Sequence, residues 1–450
     1  MKHHFLIPER SYQNLNEYRQ MKGNSLKLAR TLNSSEIIAE LKASGLRGRG
    51  GAGFSTGGKW ETLYKDESEQ KFVVVNAAEG EPGTFKDRFI LRKNPFALIE
   101  GALIAAYVLK TTEVYIAIKK SFVQERERLE KALREFKELD ELQDINVHLI
   151  AGPEDYLFGE EKALLNVIEG IGPLPREAHN PPYEIGLFAS PHSRNPALVN
   201  NVETYARVPE IVLRGSESFR ALGTEETPGR IICTLSGDIL LPGVYEIEAG
   251  ITLRELIEHY GHGPKKDNVK AILSGISNGV LTDQHLDRPI GYSSLTRAGS
   301  GLGSASFMIY DESRSIPHLT QAVAKFLYQE SCNQCIPCKR GLGVASNALD
   351  RLILEDFDKQ LLEEVFMGAK SAPQENRCYL PVEGSILIPS LLNHFAEEFK
   401  QIAKEKSSWA KDEILPKIID FIESENKFVL QQSEETEAKI EDWPSSEKVW

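Results

Sequence analysis

The chain has 450 residues, of which 41% are hydrophobic and 26% charged, and a formal net charge of −13. That length admits two to four domains with cores of their own, and the composition is that of an ordinary globular protein rather than a disordered or fibrous one. The acidic balance excludes a general nucleic-acid binder, whose phosphate contacts need a basic surface.

The opening MKHHFLIPERSYQNLNEY holds no continuous apolar run and places Pro8 and Glu9 early, unlike a secretory signal. No apolar stretch approaches the length of about eighteen residues that reads as a transmembrane helix, so no direct membrane insertion is expected. A cytoplasmic protein is predicted, free or peripheral on the cytoplasmic face of the inner membrane within a complex.

Residues 1–44 read as polar helix-forming segments. GLRGRGGAGFSTGGKW (45–60) then puts seven glycines, two arginines and a lysine into sixteen positions. Glycines let backbone N–H groups approach a phosphate or a flat ring, and Arg47, Arg49 and Lys59 add positive charge. The spacing is not the G-x-G-x-x-G that opens a helix after a strand, so alone it reads equally as a flexible surface loop.

KFVVVN (71–76) is a β-branched strand followed by the turn-rich AAEGEPGTFKD. PFALIEGALIAAYVL (95–109) reads as a buried helix and EVYIAIKK (113–120) as a second strand. VQERERLEKALREFKEL (123–139) is an amphipathic helix whose charges form a solvated face, and INVHLIAG (145–152) is a third strand. Strand–helix–strand–helix–strand with short connections predicts right-handed crossovers and a mostly parallel sheet. Ligands sit outside the carboxyl ends of such strands, which points to the loops after residues 75 and 150.

GPLPREAHNPPYEIGLFASPHSRNP (172–196) is too rich in proline for regular structure, and its His179 and His192 read as solvated loop residues. Residues 230–311 change style to strands with a short helix, a small α+β unit. From His318 the chain turns helical, through HLTQAVAKFLYQESC, 336–354, 357–370 and 384–405, which predicts a small antiparallel four-helix bundle. The acidic tail after Ser407, with an amphipathic segment at 413–423, is expected to be partly disordered.

Of five cysteines, four lie between 332 and 378. Cys332, Cys335 and Cys338 form a C-x2-C-x2-C run in ESCNQCIPCKRG, and Cys378 follows 40 positions later. Three thiolates at this pitch converge from one tight turn at a helix N-terminus, whose dipole favours negative charge, and a remote fourth completes a 4Fe–4S site. Structural zinc, which usually takes two separated C-x2-C pairs, and unrelated buried thiols are the alternatives. Cys233, on a strand, reads as a small buried hydrophobe.

Taken together, GLRGRGGAGFSTGGKW, NAAEGEPGTFKDR, YLFGEEKALLNVIEG, NNVET (200–204), SGDILLPGVYE and ESCNQCIPC with Cys378 follow one another in an order that resembles the NADH-oxidising flavoprotein subunit of respiratory complex I and its relatives in NAD-linked hydrogenases and formate dehydrogenases. The resemblance implies an α/β fold: a Rossmann-like FMN/NADH domain, a ubiquitin-like β-grasp domain of the soluble-ligand-binding type, and a C-terminal four-helix bundle carrying the cluster. The expected division is an N-terminal helical segment at 1–44, the FMN/NADH domain at 45–228, the β-grasp domain at 229–312, the bundle at 313–406 and the acidic tail at 407–450.

By the same resemblance, Gly48, Arg49, Gly50, Gly51, Ala52, Gly53 and Lys59 cradle FMN and the approaching NADH. Asn76, Asn200, Asn201 and Thr204 hold the ribityl-phosphate, and Tyr156, Gly159, Glu160 and Glu161 line the third-strand loop. Phe54 meets the adenine side and Glu81 the adenosine ribose, where a carboxylate favours NADH over NADPH. Glu79 and Tyr183 complete the expected cofactor contacts, and Cys332, Cys335, Cys338 and Cys378 ligate the 4Fe–4S cluster. Hydride passes from NADH to FMN and electrons leave singly through the cluster, so no acid–base residue is required. The implied partners are a thioredoxin-like 2Fe–2S subunit and further redox subunits of a multi-subunit complex.

Ala78, Asn180 and Thr62 stand where the family pattern has an aspartate, a lysine and an aromatic, and NRCYLPVEG replaces the usual T-x-C-x-L-G around the last cysteine. These departures support the alternative of an electron-relay or scaffold subunit that keeps fold and cluster without turning over NADH.

Overall fold

The structure, a computed structural model, describes residues 5–177, 180–266, 268–354, 358–401, 415–431 and 447–450. Three short helices come first: α1 (Leu15–Lys22), α2 (Ser25–Ala29) and α3 (Ser34–Ser44). Asn33 and Glu36 form a capping box at the start of α3, and Gly45 ends it in the left-handed region at φ 70°, which launches the glycine loop. Ser55 caps α4 (Thr56–Lys65) by accepting from Gly58 N–H.

The first sheet contains β1 (Phe72–Ala77), β2 (Glu113–Lys119), β3 (Asn146–Gly152), β4 (Ala197–Asn201) and β11 (Glu447–Val449), in the order β11-β3-β2-β1-β4. The first four are mutually parallel, with Asn76 opposite both Ala117 and Asn201. Between them run α5 (Lys86–Lys93), α6 (Pro95–Leu109), α7 (Val123–Glu138) and α8 (Glu161–Ile168), and α9 (Val202–Arg220) leaves β4. The sequence pattern expected β1, β2 and β3 of this sheet but neither β4 nor β11, and the mixed α/β character is observed.

Helix α6 is apolar nearly all round because it is buried nearly all round, between the sheet and the N-terminal helices. Val73, Val75, Ile116 and Leu198 from the strands share one core with Leu15, Tyr18, Leu26, Ile37 and Leu41 from the first three helices. At Gly101 of α6 a Cβ would lie 2.0 Å from the Tyr205 carbonyl oxygen, so only glycine lets α6 and α9 approach this closely. The opposite sheet face packs Phe72, Val74, Tyr115 and Val199 against Phe158, Leu164 and Leu165.

A second sheet follows, of β5 (Arg230–Gly237), β6 (Gly243–Glu248), β7 (Val269–Ser274) and β8 (Ser306–Asp311), in the order β6-β5-β8-β7. Only the central pair, β5 and β8, is parallel. One face, with Ile231, Cys233, Ile272 and Phe307, closes over α10 (Leu253–Glu255) and α11 (Tyr292–Arg297). Cys233 is fully buried there, as expected. The other face, with Ala271, Leu273, Met308 and Tyr310, packs on the helical region.

That region comprises α12 (Ile316–Glu330), α13 (Ile336–Leu354), α14 (Lys359–Ser371), α15 (Leu380–His394) and α16 (Ala396–Gln401). The helix expected at 384–405 starts four residues sooner, since Pro381 suits a first turn, and breaks at Phe395 before α16. None of the described helices is long and apolar enough to cross a membrane.

The tail differs from expectation where it is described. β9 (Ile418–Ile422) and β10 (Lys427–Leu430) form a hairpin whose Phe421 and Phe428 pack on Phe85 and Phe89, and β11 pairs antiparallel with β3. The amphipathic signal at 413–423 thus belongs in large part to a strand, and apolar burial orders it. Residues 402–414 and 432–446, with His179, lie outside the described residues.

Candidate functional site

Strand order reverses direction between β1 and β4, so the crevice of this sheet lies at their carboxyl ends. The glycine loop is folded onto that point. Gly48 N–H donates to Phe54 O at 2.7 Å and closes the loop on itself, while Arg49 N–H donates to Thr204 Oγ1 at 2.9 Å. A Cβ on Gly50 would sit 3.2 Å from Asn201 Cβ. Gly51, at φ +116°, has nothing within 4 Å of where a Cβ would stand, so the loop leaves a cradle that any side chain would fill. Tyr292, from α11, supports it from below: its hydroxyl donates to Gly48 O at 2.9 Å and its ring lies 4.1 Å under the Arg47 guanidinium.

Lys59 donates to Val199 O at 2.7 Å and pairs with Glu161 at 2.8 Å, which ties α4, β4 and α8 together at the same edge. Asn76 donates to Gly159 O at 2.7 Å and accepts from Ala78 N–H, bringing the loop after β3 over the end of β1. Asn200, with its amide oriented to accept from Trp60 Nε1–H at 3.0 Å, holds α4. Asn201 caps α9 and donates to Asp87 at 2.6 Å.

Below the cradle lies a buried ionic cluster. Lys86 Nζ is 2.7 Å from Asp87 and 3.3 Å from Glu203, all three nearly solvent-free. Glu79 accepts from Asp87 N–H and Arg88 N–H at the start of α5, and burial, with the Asp87 carboxylate adding, pushes its carboxyl up. Arg49 is itself 3% exposed, and its Nε and Nη1 have no partner among the described residues. Its Nη2 donates to Arg230 O at 3.3 Å, and a buried guanidinium with two free nitrogens next to an open glycine cradle fits an anionic group with a flat ring, which is what a flavin phosphate presents.

The segment after β3 makes a 3₁₀ turn, Tyr156–Gly159, and enters α8 through Glu160, which caps the helix by accepting from Lys162 and Ala163 N–H. Burial pushes the Glu160 carboxyl up to about 7. Tyr156 points away from the crevice: its hydroxyl donates to Glu383 of α15 at 3.0 Å and its N–H to Glu330 of α12 at 3.1 Å. Lys162 reaches the carbonyl of Arg377, beside Cys378.

Cys332, Cys335, Cys338 and Cys378 line one cavity together with Leu157, Leu380 and Pro381. Three come from the turn into α13, and the fourth precedes α15. Burial pushes the thiols of Cys338 and Cys378 up. Among the described residues no three Cys, His, Asp or Glu side chains gather closely enough around one point for a single metal ion. Four thiols lining one shared cavity fit the ligand set of a 4Fe–4S cluster.

The structure therefore brings together, at one sheet edge, Gly48, Arg49, Gly50, Gly51, Lys59, Asn76, Gly159, Glu161, Asn200, Asn201 and Thr204. Phe54 stands on the same loop with 70% of its surface exposed. Tyr183 packs against the first core, and Glu81 is half-buried with its carboxylate taken by Ile276 N–H at 2.9 Å and by the Ser304 hydroxyl. Of the departures, Asn180 donates to Glu184, Thr62 donates back to Gly58 O, and Ala78 is buried. Tyr292 carries no local sequence signal, and Lys86, Glu203 and Glu383, though inside the quoted motifs NAAEGEPGTFKDR, NNVET and NRCYLPVEG, were not singled out, because each acts on a distant partner or in a cluster only the fold assembles.

Comparison with known proteins agrees with this geometry. Residues 41–210 match the family described as the Nuo51 FMN-binding domain, and residues 318–402 the NADH-ubiquinone oxidoreductase-F iron-sulfur binding region. The chain is 38% identical over 381 residues to the second of the NADH-quinone oxidoreductase F subunits of Rhizobium meliloti (strain 1021), covering 82% of this chain and 89% of that protein. It is likewise 38% identical over 383 residues to the NADH-quinone oxidoreductase F subunit of Rickettsia felis, covering 83% and 90%. Among solved structures it is similar to a chain of NAD+-reducing NiFe hydrogenase in the air-oxidised state, with a TM-score of 0.76, 26% identity, and coverage of 87% of this chain and 67% of that one.

Proposed function

The chain belongs to the family of NADH-quinone oxidoreductase F subunits, and on that footing we propose that the glycine loop and sheet edge hold FMN and NADH while Cys332, Cys335, Cys338 and Cys378 hold a 4Fe–4S cluster. It is an NADH-oxidising flavoprotein subunit that passes electrons to iron–sulfur partners. FMN, when bound, supplies the conversion of a hydride pair into single electrons, and the cluster supplies one-electron carriage.

The observation that carries the residue assignment is the reach of one short segment. Gly159 is bonded to Asn76 at the crevice, while Tyr156 and Leu157, three and two residues before it, touch the elements that present the cysteines. The two sites are therefore neighbours across a single 3₁₀ turn, as electron transfer between them requires. Arg49 and the loop backbone bind phosphate, Lys59 and Glu161 fix the ring edge, and Phe54 stacks on the nucleotide. Thr204 and Asn201 orient the loop, Asn76 positions the third-strand segment, and Glu160 holds the start of α8.

The finer architecture belongs to the same reading. The second sheet is a β-grasp domain of the ligand-binding type at 229–312, and α12 to α16 are the cluster-bearing bundle at 313–406, between the FMN/NADH domain at 45–228 and the tail at 407–450. The acceptor is a thioredoxin-like 2Fe–2S subunit in a cytoplasmic or peripherally attached assembly.

Reconstituting the full chain with iron, sulfide and FMN tests this. Flavin should co-purify, and NADH should bleach its absorbance and reduce ferricyanide. Bound flavin that NADH leaves unbleached would instead favour the electron-relay reading, which the self-satisfied Asn180 and Thr62 support.

A further inference from the structure

Glu383 stands in the first turn of α15, five residues after Cys378 and three after Leu380, which lines the cysteine cavity. It is 7% exposed. Its Oε1 accepts the Tyr156 hydroxyl at 3.0 Å, and its Oε2 has no hydrogen-bond partner among the described residues. An ionised carboxylate with one bare buried oxygen is costly, whereas the protonated carboxyl is much less so.

Among the described residues, the groups that act on it include no cation. Tyr156 comes from the segment after β3 and Glu81 from the loop after β1, and the Glu81 carboxylate works against a second negative charge. On the neighbouring α12, Glu330 is held by Tyr156 N–H, and Cys378 lies before α15 itself. Burial, then Glu81, pushes the Glu383 carboxyl up to about 8, with the Tyr156 hydrogen bond acting the other way. Though inside NRCYLPVEG, this residue was not singled out by the sequence.

We propose that Glu383 is a proton-linked tuning residue of the cysteine site: it takes up a proton as the site gains an electron and releases it as the electron leaves. The inference rests on the 4Fe–4S reading of the four thiols. The step balances with one electron of the pair that NADH supplies by the established activity and one proton from solvent: an O–H bond of hydronium breaks as the carboxyl O–H forms, and the reverse exchange accompanies the electron's departure. Added negative charge beside a carboxylate raises its proton affinity, and by linkage a bound proton raises the potential of the site. Tyr156 is the positioning residue, since it fixes the carboxyl and joins both cysteine-bearing segments through Glu330 and Glu383.

The test is an EPR-monitored redox titration of the reconstituted full chain from about pH 6 to about pH 10. The wild-type midpoint potential should fall as pH rises through the carboxyl's titration, by at most about 59 mV per tenfold change in proton concentration. Glu383→Gln, which keeps shape and can still accept from Tyr156, should show the EPR signal with a flat pH profile. Tyr156→Phe should retain the slope but move it to higher pH, because the donor that favours the carboxylate is gone. A Glu383→Gln chain with the wild-type slope, or a wild-type potential independent of pH, overturns the proposal. An EPR-silent wild type would overturn the cluster reading itself and this inference with it.

Discussion

The sheet-edge site and the cysteine site lie one 3₁₀ turn apart, yet opposite means hold them. At the sheet edge, charges balance one another inside the protein: Lys86 against Asp87 and Glu203, Lys59 against Glu161, Asn201 between Asp87 and Glu203 N–H. The cysteine site is walled by Leu157, Leu380 and Pro381 together with Ser331, Asn376 and Arg377, and its donors are neutral thiols, Cys338 buried and the other three half-buried. The first site is organised before anything binds. The second gains most of its electrostatic definition from what it holds. Substitutions should therefore separate the two sites: ionic ones should cost folding, thiol ones should cost the cluster alone.

The largest effect belongs to Cys378→Ser. The hydroxyl is a poor soft donor, and the other three thiols sit on a different segment, so the site opens on its α15 side. Cluster occupancy should drop by at least about 100-fold, read as loss of the EPR signal. NADH-dependent bleaching of bound flavin should persist, because Cys378 is absent from the sheet edge. Loss of flavin together with the cluster would show that the two sites fold as one unit and would break the contrast.

Next comes Lys86→Met. It removes the cation from between Asp87 and Glu203, both buried, leaving Asp87 without its counter-charge and Glu203 with Arg207 at 3.8 Å. Breaking a buried ionic group in this way costs roughly 3–5 kcal/mol. Urea unfolding should report that loss, and FMN affinity should fall with it since Asn201 shares the cluster. An unchanged denaturation midpoint would mean that the carboxylates simply protonate and that the sheet edge is less preorganised than its hydrogen bonds imply.

How much of this was legible in the sequence follows from how far each contact reaches. The parallel strands were visible because apolar runs such as FVVVN carry their own periodicity, and the cysteine run because its pitch is local. Glu125 was not. It sits in a helix whose charges look uniformly solvated, yet it is fully buried and takes both Arg88 and Arg92. Helical spacing puts it on the buried stripe, four residues before Leu129 and eight before Leu133, but a charged residue amid so many others reads as solvated until its arginine partners are known. Tyr292 and Glu383 were hidden for the same reason: their partners, Gly48 and Tyr156, are more than two hundred residues away. The tail misled in the opposite sense. Its acidic composition suggested disorder, but Phe421 and Phe428 find an apolar face on α5 and Arg88 donates to Ile419 O, contacts that depend on tertiary structure alone.

The smallest effect tests the outer rim of the sheet edge. Phe54 is 70% exposed on a loop whose closing hydrogen bond, Gly48 N–H to Phe54 O, uses only backbone atoms. Phe54→Ala keeps that bond and removes little buried surface, so stability should stay within about 0.5 kcal/mol. An exposed aromatic that stacks on a nucleotide contributes about 1 kcal/mol, which predicts a KM for NADH raised roughly 3- to 10-fold with kcat unchanged. The split matters more than its size. A fall in kcat without a change in KM would place the ring against the reacting end of the nucleotide, and an unchanged KM would place NADH off this loop, leaving the glycine cradle to the flavin alone.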